Sequence, residues 1–141
     1  MVVTPKKTLY PFAEMYEIEC SATADEAVDI LDIPAGTIIT MMLAKIKTAQ
    51  VGAGNIIIGD DDDDNGYIVA ADAVVAVDTI YGDVQAERGE YLKTAGQADP
   101  HAPQWKVYTA AGKALKIEQS GTATTQAVVD VFVFGYRYHE D

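Results

Sequence analysis

The chain has 141 residues, 22 of them acidic and 10 basic, for a formal net charge of −12. That length suffices for one domain with a core of its own. The acidic balance repels phosphate backbones and anionic headgroups, which excludes nucleic acid and membrane surfaces as partners and suits a basic protein surface instead.

A single cysteine, Cys20, rules out an intrachain disulfide and reads as a small buried thiol. No N-terminal stretch has the basic-then-apolar layout of a signal peptide, and the apolar runs fall short of a membrane span, so synthesis in a cytoplasm is expected.

Residues 1–12 carry Pro5, Lys6, Lys7, Tyr10 and Pro11 and no acid. Prolines block ladder hydrogen bonds and extend their neighbours, so residues 1–13 read as an extended arm and 14–141 as one domain. Lys6, Lys7 and Tyr10 are the arm's candidate contact residues.

From residue 15 the pattern alternates, Met15, Glu17 and Glu19 against Tyr16, Ile18 and Cys20, which is the period of a half-buried strand. Residues 23–33 fit two forms. Thr23 to Glu26 suit a capping box, with Ala27, Ile30 and Leu31 on a helical face, yet the same residues suit a strand entering the Pro34-Ala35-Gly36 turn. The strand is preferred because everything after it is strand-like. Residues 37–47 are apolar on both faces, with Ile38, Met42, Ala44 and Ile46 on one and Ile39, Met41 and Leu43 on the other.

Asn55-Ile56-Ile57-Ile58-Gly59 then meets five consecutive aspartates, Asp60 to Asp64, followed by Asn65-Gly66 and a second apolar run from Tyr67. Strand, tight acidic loop and returning strand is the simplest account, with Asn-Gly supplying the positive φ angles of a hairpin turn. Residues 81–103 are rich in Gly, Asp, Gln and Pro, with Tyr91-Leu92 the apolar pair, and read as a long surface excursion that is either functional or partly disordered. Strands return at 105–109, 114–118 and 127–139. In the last, Val129, Val131 and Val133 face one way and Val128, Phe132, Phe134, Tyr136 and Tyr138 the other. A strand apolar on both faces needs two covers, and the aromatic row suits an interface. Eight or nine short strands with turn signals between them indicate an all-β sandwich or barrel.

No catalytic constellation emerges, since His101 and His139 stand alone and Ser21 and Ser120 lack a nucleophile context. The aspartate run is the one chemical signal. Asp61, Asp63, Asn65, Gly66 and Asp72 fall on positions 1, 3, 5, 6 and 12 of a calcium loop, with the Tyr67 carbonyl at position 7. A short Asp at position 12, the absence of flanking helices and the ease with which aspartates match such a pattern favour a solvated hairpin tip instead.

The order Ile33-Pro34-Ala35-Gly36-Thr37-Ile38-Ile39, the strand end Lys45-Ile46-Lys47-Thr48-Ala49, the Gly-Asp-rich turn within 55–68 and the aromatic strand closing 114–138 resembles small head decoration and related auxiliary proteins of tailed-bacteriophage virions. That resemblance implies a jelly-roll-like antiparallel sandwich that assembles symmetrically on the virion, as trimers, against the major capsid protein on the head exterior. It transfers no catalytic residue and no cofactor. A tail or neck component is the alternative within the class. A calcium-dependent, carbohydrate-binding module is the alternative outside it, with Tyr67 and Tyr81 as the aromatics it would need.

Overall fold

The computed structural model describes residues 2, 7–20, 26–73, 75–93, 105–120, 123–125 and 127–139. Lys6, Ser21, His101 and the Thr23–Asp25 part of the capping box lie outside the described residues. Eleven strands run through the rest: β1 (Leu9–Glu19), β2 (Glu26–Ile33), β3 (Thr37–Thr48), β4 (Val51–Gly52), β5 (Asn55–Asp60), β6 (Ile68–Asp72), β7 (Ile80–Tyr81), β8 (Lys106–Tyr108), β9 (Lys113–Ser120), β10 (Ala123–Thr125) and β11 (Val128–Tyr138). One 3-10 turn, Gln85–Glu87, precedes β8.

The strands form two antiparallel sheets, β1-β11-β3 with β7 and β8 both on β3, and β2-β9-β5-β6, beside a small β4-β10 ribbon. The main pairings are nested: β1 with β11, β2 with β9, β3 with β8, and β5 with β6. A long hairpin rolled on itself has this order, and it makes the fold a jelly-roll sandwich. The Pro34-Ala35-Gly36 turn carries the chain from one sheet to the other. Gly36 takes a φ of +79° there, donates its N–H to the Tyr108 carbonyl at 2.8 Å and accepts from Tyr138 N–H at 2.9 Å.

Between the sheets lie Ile18, Ile33, Ile39, Met42, Ala44, Ile46, Ile56, Ile58, Ile68, Leu115, Ile117, Val129, Val131 and Val133. Each large aliphatic side chain withdrawn from water contributes about 1.5–3 kcal/mol, which is what holds the layers together. Cys20 is buried beside them, and its N–H reaches the Ala127 carbonyl at 2.9 Å.

Two expectations change. Leu9 to Ala13, assigned to the arm, are the first half of β1, paired from Leu9 opposite Tyr138 to Ala13 opposite Phe134. Pro11 is tolerated because β1 is an edge strand, where a missing N–H can face away from the ladder. In β3, Ile39 is buried together with Met42, Ala44 and Ile46, not on the opposite face. The register slips by one residue between Gly135–Ile39 and Phe134–Met41, leaving Thr40 as the extra residue of a bulge. A bulge reverses the inward phase, so the strict two-residue alternation read from the sequence breaks there.

Candidate functional site

Ile56, Ile58 and Asp60 stand two residues apart on β5 and all three are buried. The first aspartate of the run is therefore an inward-facing strand residue, 2% exposed, and not part of a wet tip. Its Oδ1 accepts the Asp62 N–H at 2.9 Å, the Asp63 N–H at 3.1 Å and the Tyr91 hydroxyl at 2.9 Å. Its Oδ2 accepts the Tyr108 hydroxyl at 2.6 Å. The Tyr67 and Tyr108 hydroxyls lie 2.5 Å apart, and the Tyr67 and Tyr91 rings meet edge to face at 5.1 Å between centroids. The Lys106 ammonium sits 4.1 Å from the Tyr91 centroid.

Burial pushes the Asp60 carboxyl up, but the donors from Tyr108, Asp62, Tyr91 and Asp63 together outweigh it and leave its pKa below the usual value. The tyrosines move the other way. Burial raises the hydroxyls of Tyr67, Tyr91 and Tyr108 well above their ordinary value, and the Asp60 carboxylate adds to the rise at Tyr91 and Tyr108. A carboxylate that accepts four hydrogen bonds and is held in its ionised form is a weak base. Locked neutral phenols supply no acid near neutral pH. The cluster is a structural clasp that ties β5, β8 and the segment after the 3-10 turn together.

The rest of the run is held from outside. Asp61 accepts the Ala114 N–H at 2.9 Å and pairs with Lys116, and Asp62 pairs with Lys113 at 2.6 Å. The loop folds back so closely that a Cβ on Gly59 would collide with the carbonyls of Asp63 and Asp64, and one on Gly66 with the Tyr91 ring. Neither Asn65 nor Gly66 has a positive φ. The hairpin is present as expected, but Gly66 serves to admit an aromatic ring and not to make a left-handed turn.

The four candidate calcium ligands are not brought together. Asp61 is engaged by β9, Asp63 accepts the Asn65 N–H at 3.3 Å, and Asp72 lies opposite Asn55 at the far end of the hairpin. Among the described residues no group of three or more His, Cys, Asp or Glu is placed to hold a metal ion. Tyr67 is fully buried, and the half-buried Tyr81 donates to the Asp72 carbonyl at 3.1 Å, so Tyr67 offers no exposed ring to a sugar. His139 is exposed, 6.3 Å from the Tyr10 ring.

The candidate interface residues divide. Phe132, Phe134 and Tyr136 are half-buried on the outer face of the β1-β11-β3 sheet. Register sets them in rows with Met15 and Leu43, with Ala13 and Met41, and with Pro11, Ile38 and Val107. Trp105 extends the third row, its ring 6.3 Å from Tyr136. Tyr10 is exposed but stands opposite Arg137, out of register with the three rows. Tyr138 is buried, with the Lys7 ammonium 4.3 Å from its ring centroid, and so leaves the aromatic row.

Asp60, Tyr91 and Tyr108 were not singled out from sequence as a site. The signal for Asp60 was available, since it continues the two-residue spacing of Ile56 and Ile58. Nothing local signals the tyrosines, which meet only through the nesting of strands.

The double-sheet jelly roll is an architecture that viral capsid domains use, as lectins do. The fold matches a chain in the capsid asymmetric unit of cyanophage Pam1, with a TM-score of 0.55 and 15% identity over 97% of this chain and 93% of that one. It also matches a chain in the acid-stable capsid of Helicobacter pylori bacteriophage KHP30, with a TM-score of 0.57 and 9% identity over 96% of this chain and 100% of that one. At such identities the likeness is one of fold. No protein family and no curated protein matches the sequence.

Proposed function

We propose that the chain is a non-enzymatic phage virion protein that decorates the outer surface of the head, binds the major capsid protein there and stabilises the shell as a cement protein. In this reading it is made in the host cytoplasm and self-associates on the particle, as a trimer in the group it resembles. The observation that carries the reading is the fold match to chains of two phage capsids over 93% and 100% of their lengths. In those capsids one chain supplies little besides one such sandwich.

The test is to mix purified protein with heads of the parent phage that lack it, then pellet the heads and image them. Bound protein resolved as density on the outer head surface is the expected result. Failure to co-sediment at tens of micromolar, or density confined to the tail or neck, would reject decoration.

A further inference from the structure

The outer face of the β1-β11-β3 sheet is zoned. Its three aromatic-centred rows carry no charged side chain, whereas the next row by register is Glu17, Asp130 and Lys45. Lys47 reaches Glu17 beside that row, and Lys45 reaches Asp78 at 3.0 Å. Lys45 and Lys47 on β3 are thus each paired with an acid, and the row is charged on all three strands. Among the described residues, the buried Oδ1 of Asp130 has no hydrogen-bond partner.

We propose that this face is the surface through which one copy of the chain meets another. It deepens the self-association within the reading above and names the contact that makes it. Charge selects the occupant. With a net charge of −12, two copies repel over most of their surfaces and approach at least cost where the surface is neutral. The flanking row, charged on all three strands, marks where that neutral zone ends.

Area sets the strength. Ten positions in three rows, with strands about 4.8 Å apart and rows about 7 Å apart, span a flat area of about 340 Å², under half of the ~800 Å² that each partner of a stable pair buries. A single contact of this size is weak, and its repetition in a closed ring or a symmetric shell makes it firm.

The experiment is sedimentation of the purified protein at concentrations from about 10 μM to 1 mM with no heads present, so that decoration can fail while the contact stands. The weight-average mass is expected to rise with concentration. Met15 and Met41 are 59% and 43% exposed, so Met15→Lys and Met41→Lys are expected to keep the wild-type melt and weaken association at least tenfold. Should Met41→Lys lose its folding transition, Met15→Lys alone carries the comparison. A monomer mass across the whole range, or variants that associate as the wild type does, would overturn the proposal. So would variants that lose head binding while their association stays intact, since the face would then belong to the shell.

Discussion

The hydroxyl of Tyr108 on β8 donates to the carboxylate of Asp60 on β5 at 2.6 Å, joining one sheet of the sandwich to the other. Tyr91 makes a second bond to the same carboxylate from a segment outside both sheets. Aliphatic packing sets the distance between layers but tolerates sliding. A carboxylate gripped on both oxygens fixes the lateral position of β5 and β8.

Removing the acceptor takes a bond from the buried Tyr108 hydroxyl, the half-buried Tyr91 hydroxyl and two N–H groups at once. Asp60→Ala is therefore expected to cost about 4 kcal/mol, and Tyr108→Phe, which leaves Tyr91 and the loop bonded, about 2 kcal/mol. Thermal melts should place Tyr108→Phe between the wild type and Asp60→Ala, with the larger loss near 10 °C or more. By contrast, Lys113→Ala removes an exposed ion pair and should leave the melt close to that of the wild type. Equal melts for Asp60→Ala and Lys113→Ala would refute the clasp.

Stability should fall in acid. The Asp60 pKa lies below its ordinary value of 3.8, so the folded state favours the ionised form. Its contribution is present above that value and is lost as the pH drops through the folded pKa. Glu14 behaves likewise, its carboxyl lowered chiefly by the hydrogen bond from Arg137. At the alkaline end, burial and the Glu14 bond push Tyr16 up to about 12. Its contribution is full below the ordinary 10 and fades as the pH rises toward 12. Melts from pH 2.5 to 7 should show a steeper acid limb for the wild type than for Asp60→Asn.

Gly59→Ala should disrupt the hairpin tip without touching charge. Its Cβ would meet backbone carbonyls of Asp63 and Asp64, which cannot rotate aside as a side chain can. A loss of about 2–3 kcal/mol is expected. A wild-type melt for this variant would mean the loop relaxes freely.

The melting temperature should be the same in calcium and in chelator. Asp72 and Asp61 lie at opposite ends of the hairpin, and Asp61 is already paired with Lys116. A rise of several degrees in calcium would show that the loop can reorganise around the ion.

Period-two alternation carried much of this fold in the sequence. It placed β1 from residue 15, the inward valines of β11 and the β5–β6 hairpin. It failed where the local rule is interrupted by a partner strand. The Thr40 bulge exists because β11 pairs across it, so no pattern within β3 announces the change of face. Pro11 reads as arm until a strand beginning at residue 128 is known to lie beside it. The clasp was hidden for a related reason. Five identical residues look alike, and Tyr91 and Tyr108 reach Asp60 across 31 and 48 positions.

The nested pairing also dictates when the molecule can form during synthesis. Glu14 and Arg137 meet across 123 positions, and ribosomes add about 5–20 residues per second. The first strand must therefore wait roughly 6–25 s for β11, the strand it pairs with in the sheet, with a bare edge throughout. Pro11 and the glutamates at 14, 17 and 19 act as guards during that interval, since proline and charge on an unpaired strand discourage pairing with other nascent chains. Replacing Glu19 with an apolar residue should shift the product from soluble protein to aggregates while leaving the folded contacts of Glu14 and Glu17 in place.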